Sequence, residues 1–400
     1  MARADDEPTV HEYVPDLEAD EGMLLVSSGG AQPDAIVYQG EILPPPEMGR
    51  LDRGNEEPMR ADPGDGQQRE EPGRRSPSFR PDRVTDLQGT VEYYSVFTPT
   101  IAPYKRISAL DQITIAEDET PVLGIADRSR RPMTIVGASA PSDDGLPLDR
   151  FWGSVVLDFE EGSVVPLPSV SPESRMLTLE TDPPTPIEIS RDGAQNFYAR
   201  PLADSARQVR AVFLTDAPRS YFGRSIPDGP VDVHASHFPP VPASVQRDAL
   251  EFASELGLSR RSTFREALRV LTGHFRSFAE SRQPPRDTGN IYLDLSRGRR
   301  GICRHRAYGF VITAQTLGMH ARFVQNEAHA WVEVELPADA GWLRVDLGGA
   351  ATGLEARGAQ DRPVYSPDVE DDLPRPREYA EAYEQARQMN GLRPPDADDS

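Results

Sequence analysis

One cysteine, Cys303, stands in the whole 400-residue chain. It has no partner for a disulfide within the chain, and a cysteine-rich zinc site is excluded with it. Long apolar runs are missing too: no stretch approaches the ~20 residues that cross a bilayer, so no membrane span is expected. The opening, MARADDEPTVHEYVPDLEAD, lacks a basic region followed by an apolar core. That absence excludes a secretory signal of the usual kind, and the default expectation is a cytoplasmic location. Positive charge is outnumbered, with 43 Lys and Arg against 65 Asp and Glu, a net −22 and a pI near 4.8. Phosphate would be repelled overall, which argues against a nucleic-acid partner. Cys303, His305, His320 and His329 are metal-ligand types, but no pairing gives a zinc spacing on both halves. Neither a metal nor another cofactor is expected.

Four hundred residues hold two ordinary domains plus tails. Residues 1–83 are rich in Pro, Gly, Glu, Asp and Arg. They carry too little apolar surface to offset the entropy of ordering, which predicts a mostly disordered leader. Within it, Met23–Val26 and Ala35–Tyr38 are strand-like and suited to a sheet edge. Residues 84–235 change to short β-type runs between Pro and Gly, among them Ser154–Phe159 and Val209–Leu214, as in an antiparallel sandwich or barrel. Asp143-Asp144-Gly145 and Asp192-Gly193 have turn chemistry. This part concentrates no catalytic residue types and is expected to be an accessory β-rich domain. Residues 351–400 are expected to be an irregular acidic tail with a short helix over Glu378–Asn390.

What chemistry the chain carries lies in 240–350. Phe238–Pro242 is a stiff linker, and Val245–Leu256 is helical. Thr263 with Glu266 makes a capping box for a helix whose stripe is Phe264, Ala267, Leu268, Leu271, Phe275 and Phe278. Asn290–Arg300 is expected to be a loop leading to Cys303. After Cys303, the residues Ala307, Phe310, Val311, Ala314 and Leu317 recur at helical spacing until Gly318. The thiol therefore falls at a helix N-terminus, where unpaired N–H groups favour a thiolate. Three strand patterns follow: Ala321–Gln325, His329–Leu336 and Trp342–Leu347. A hairpin without a bulge, closing with a two- or four-residue loop between Leu336 and Gly341, would set His329 directly opposite Asp346 on one face. An imidazole with a carboxylate on one nitrogen and a thiol on the other is the arrangement of an activated nucleophile.

Gly-Ile-Cys, Leu-Gly-Met-His-Ala-Arg, Ala-His-Ala-Trp-Val-Glu-Val and Gly-Trp-Leu-Arg-Val-Asp, taken together over 299–349, resemble the core of the transglutaminase-like superfamily. The resemblance implies a papain-like α+β fold, with helices packed on an antiparallel sheet behind a β-rich domain. It also implies Cys303 as nucleophile, His329 as general base and Asp346 as the group orienting it. Arg304 and His305 stand where many members carry an aromatic residue, and Leu347 where proline or alanine is common. The implied activity is thiol-dependent acyl transfer at an amide bond of a protein or peptide substrate. Hydrolysis is favoured because many members resemble proteases; transamidation and a non-catalytic binding module are the alternatives. An oxyanion hole is expected from the Cys303 backbone N–H and one upstream side chain, with Asn290 and Tyr292 as candidates. The cluster Arg297, Arg299, Arg300, Arg304, His305 and Arg306 has two readings. It depresses the thiol pKa and attracts an acidic group, or it pairs with acidic residues of the chain such as Glu370, Asp371 and Asp372. Trp331 and Trp342 are read as packing residues.

Overall fold

In the computed structural model the described residues are 24–26, 35–38, 41–43, 58–61, 73–86, 90–101, 105–137, 146–160, 163–202, 206–231, 239–349, 353–357, 365, 367, 369, 371–373 and 376. Four helices carry the C-terminal half. The first, α1 (Ala243–Glu255), begins after Pro242. Next, α2 (Phe264–Arg276) is capped by Thr263, whose hydroxyl accepts the Glu266 N–H. Its buried side carries the expected stripe, Phe264, Ala267, Leu268, Leu271 and Phe275.

Residues 290–300, expected as a loop, instead hold a helix, α3 (Ile291–Gly298). The Asn290 side chain accepts the Leu293 N–H, and Arg299 closes the helix in a left-handed conformation. Eight residues are too few for an apolar period to register; the N-cap asparagine was the available signal. The longest helix, α4 (Cys303–Leu317), is buried on nearly all sides. Its apolar face was legible, but it is a central helix rather than a surface one. Gly318, at φ +106°, ends it.

Against α4 lies a sheet made of β1 (Ser108–Leu110), β2 (Ala321–Gln325), β3 (Ala330–Glu335) and β4 (Trp342–Val345). The order is β4-β3-β2-β1 and every pairing is antiparallel. Phe323, Val332 and Val334 belong to the core shared with α4. Alternation puts Arg322, Trp331, Glu333 and Arg344 on the opposite face, where they are buried as well. β1 comes from the stretch 84–235. With it, Leu110, Ile113, Leu123 and Ile125 enter the helical core, so this stretch contributes to both halves of the molecule.

Two antiparallel four-stranded sheets form the β-rich region in front. One joins Arg175–Asp182, Gln208–Pro218, Leu148–Asp158 and Phe97–Thr98; the other joins Val165–Leu167, Phe197–Pro201, Ile187–Arg191 and Arg131–Pro132. Phe151, Val155, Leu157, Phe197 and Phe213 lie in the core they share. The Asp192-Gly193 turn forms as expected, with the Gln195 N–H returning to Asp192 O. Asp143-Asp144-Gly145 lies outside the described residues. The fold is therefore α+β, helices on an antiparallel sheet preceded by a β-rich region.

The leader is more ordered than its composition predicts. Leu24–Val26, Ala35–Tyr38 and Glu41–Leu43 pair as a three-stranded sheet of their own rather than docking on another sheet's edge. Further on, Met59, Arg75 and Phe79 are buried, and Phe79 stacks on Phe323 of β2 at 4.6 Å. Arg75 donates from Nε to Ile107 O and from Nη2 to Phe197 O. An average over composition hides such single anchors. After the sheet, Gly353–Arg357 pairs in parallel with Thr90–Tyr94, where an irregular tail was expected. The helix over Glu378–Asn390 and the acidic end lie outside the described residues.

Candidate active site

Cys303 is the first residue of α4, and Ile302 is its N-cap. The cap is completed from behind, because His305 Nδ1 accepts the Ile302 N–H at 3.2 Å. The Cys303 N–H donates to Gly349 O at 2.9 Å. Gly349 sits at φ +70°, and a Cβ there would come within 2.8 Å of both Cys303 N and Arg306 Nε. Only glycine meets both demands without strain.

His329 directly precedes β3. Asn326 shapes the turn before it, its Oδ1 accepting the N–H groups of Ala328 and His329, each at 2.9 Å. The Asn326 Nδ2 donates to Lys105 O at 2.8 Å, fixing the turn to the neighbouring segment. Asp346 directly follows β4. Direct opposition of His329 and Asp346 is not what forms. The expected four-residue loop, Pro337–Ala340, does form, but it pairs Leu336 with Gly341 and Val332 with Val345, and counting on from those pairs sets Trp331, not His329, opposite Asp346. Two residues of slip leave the parity unchanged, so imidazole and carboxylate are diagonal neighbours on one face. They meet there, His329 Nε2 to Asp346 Oδ1 at 2.9 Å. The Cys303 thiol lies close enough to the ring for each group to shift the other's titration. The Trp331 indole lies nearly parallel to the imidazole at 6.2 Å and backs it.

Arg344 is a residue that sequence reasoning missed. Its Nε donates to Asp346 Oδ2 at 2.9 Å, and its guanidinium lies over Trp331 at 4.3 Å. The alternation that puts Arg344 and Asp346 on one face was available in the sequence, two residues apart. From α2, Arg276 Nε holds the Asp346 backbone carbonyl at 2.9 Å.

The electrostatics pull the thiol and the ring in opposite directions. Burial opposes ionisation of Cys303, yet its pKa is lowered by the His329 hydrogen bond and charge, the Ala330 N–H and Arg304. Burial likewise opposes the His329 cation, and here the Asp346 hydrogen bond and the thiolate win and raise it. Asp346 is held below the usual carboxylate range: burial pushes upward, but Arg344 and His329 outweigh it. Each shift moves its group toward the charged form, beside a carboxylate that stays anionic.

The basic cluster is engaged with its own chain, and its partners among the described residues include Glu251, Glu255 and Asp82. Arg297 pairs with Glu251 and Glu255, and Arg304 with Asp82 at 2.9 Å. His305 Nε2 faces Asp82 O at 3.1 Å, and buried Arg306 donates to the carbonyls of Gly301, Phe278 and Leu347. Neither upstream oxyanion candidate reaches the thiol. Asn290 caps α3 and donates to Asp248, while the Tyr292 hydroxyl is bonded to Thr313. A cleft of about 420 Å³ opens over Cys303 and His329, edged by Phe79, Asp82, Arg304 and Gln325.

A thiol at a helix start, an imidazole at a strand start and a carboxylate at a strand end thus meet at one cleft. Residues 252–347 match the family model of the transglutaminase-like superfamily, and this part of the chain is a transglutaminase-like domain. Among solved structures, the periplasmic domain of TgpA from Pseudomonas aeruginosa is 16% identical, with a TM-score of 0.39 over 68% of this chain and 93% of that one. A candidate cysteine protease from Cytophaga hutchinsonii is 14% identical, with a TM-score of 0.27 over 52% of this chain and 75% of that one. No curated protein matches the chain.

Proposed function

We propose that the protein is a thiol enzyme that hydrolyses amide bonds of a peptide or protein substrate through Cys303, His329 and Asp346. The observation that carries this is the position of His329, with Asp346 at 2.9 Å on Nε2 and the Cys303 thiol near enough to shift the ring's titration. The Cys303 thiolate attacks the amide carbonyl carbon and a C–S bond forms. The His329 imidazolium gives its proton to the departing nitrogen as the C–N bond breaks, leaving a thioester. His329, now neutral, takes a proton from water, and hydroxide attack on the thioester releases the acid and the thiolate. Asp346 keeps the ring's tautomer and orientation, and Arg344 keeps Asp346 anionic. Charged and amide side chains edge the cleft, which favours water over a dry amine channel as the second nucleophile.

Incubating a peptide library with and without a labelled primary amine, using wild type and Cys303→Ala, tests this. New peptide termini that depend on Cys303 are expected. Label entering the peptides without new termini would instead make the protein a crosslinking enzyme, and neither product would leave a binding module. The enzyme's own side chains compete little with the labelled amine as acyl acceptor, since the sole lysine, Lys105, is buried beside Glu327.

A further inference from the structure

An acyl-transfer site must stabilise the oxygen that turns negative when sulfur attacks, and donors aimed at it are worth more than most other contacts. Here the expected donor is spent, because the Cys303 N–H already bonds Gly349 O at 2.9 Å. Other polar side chains edging the cleft are committed as well. Asn326 Nδ2 is on Lys105 O, Arg304 Nε and Nη2 are on Asp82, and Arg80 is on Asp118. Gln325 differs. It is the last residue of β2, is 7% exposed, lines the cleft, and its side-chain amide has no hydrogen-bond partner among the described residues. In the ladder it stands directly opposite Ala330, which lines the same cleft as Cys303 and whose N–H helps lower the thiol's pKa. Opposed residues share a face with Cβ atoms about 4.5–5.5 Å apart, so the Gln325 amide reaches the space beside the sulfur. With no protein partner, the amide is open to the cleft, and a substrate carbonyl entering there can take its N–H in place of solvent.

We propose that Gln325 is a catalytic residue, its side-chain N–H donating to the carbonyl oxygen of the substrate as Cys303 attacks. The proposal rests on the acyl-transfer reading above. As the C–S bond forms, the carbonyl π pair moves onto oxygen and Nε2–H of Gln325 holds that oxyanion. Collapse then returns the pair and expels the leaving group.

Two reagents separate this role from a structural one. Iodoacetamide alkylates the thiolate without making an oxyanion, whereas p-nitrophenyl acetate acylates it through one and releases p-nitrophenolate. In Gln325→Ala and the near-isosteric Gln325→Met, acylation is expected to fall about 10²–10³-fold, with alkylation within twofold of wild type across pH. Cys303→Ala loses both. Acylation unchanged in both variants would overturn the assignment and leave the enzyme reading intact. A parallel fall in both reactions would reduce Gln325 to packing. If wild type releases p-nitrophenolate no faster than Cys303→Ala, the acyl-transfer reading itself fails and the role of Gln325 falls with it.

Discussion

At the residue scale, the thiol and the ring each favour the other's charged form against the cost of burial. Cys303 is lowered and His329 raised. Alkylation by iodoacetamide is therefore expected to remain fast well below the ordinary thiol pKa of about 8.5 and to drop only where the thiolate takes a proton. His329→Ala removes the hydrogen bond and the charge but leaves the burial, which moves the titration upward; a variant profile identical to wild type would contradict the pairing. Asp346 supplies a second case. Its folded pKa is depressed, so it contributes stability above the unfolded carboxylate value of about 3.9, and that contribution is lost as pH falls through the folded value. Arg344→Ala takes away the cation largely responsible. A loss of about 3–5 kcal/mol is expected at pH 7, since breaking a buried pair strands its partner, and the deficit should shrink below about pH 4. Urea midpoints at pH 7 and pH 3.5 read both the size and the sign.

At the element scale, α4 is the part on which site and core coincide. Gly309 lets α2 approach it: a Cβ at that position would lie 2.5 Å from Cε1 of Phe275 and 3.1 Å from the Ser296 hydroxyl. Gly309→Ala is expected to destabilise by about 1–3 kcal/mol through overpacking, despite its better helix propensity. A denaturant midpoint equal to wild type would mean that the Phe275 ring swings aside freely. Helices of ordinary length were readable because their signals are local: Thr263 and Glu266 announce α2, and Gly318 stops α4. The shared face of His329 and Asp346 was readable because strand period is two. Which loop closes the hairpin was not readable; given the four-residue loop, counting back from Leu336 and Gly341 sets Trp331, not His329, opposite Asp346. Likewise α3 offered one cap and a stripe too short to count, and the commitment of the Cys303 N–H depends on a glycine forty-six positions away, by subtraction of 303 from 349.

At the scale of the whole molecule, contacts distant in sequence decide how the two cores meet, and these were the least legible. Arg106 is the join. Its backbone N–H and carbonyl exchange hydrogen bonds with Ser169 of the β-rich region. Its side chain crosses to β3, donating to Glu333 Oε1 at 2.8 Å, with the Tyr221 hydroxyl on the same oxygen at 2.8 Å. Both charged partners are fully buried, and Glu333 also stands opposite Arg322 and Arg344 in the sheet. A periodicity scan registers Glu333 as an ordinary outward-facing strand residue, because nothing local reveals a second core packed on that face. Glu333→Ala strands the Arg106 cation where water does not reach, and a loss of about 3–5 kcal/mol is expected. Its distribution is more telling than its size. With the join intact, the shared burial couples the cores and calorimetry should record one transition. In Glu333→Ala the cores retain their own apolar contacts but lose the charge that docks them, and the endotherm should divide in two. A single, merely shifted endotherm in the variant would show that apolar contacts alone couple the halves and that Arg106–Glu333 adds stability without holding them together.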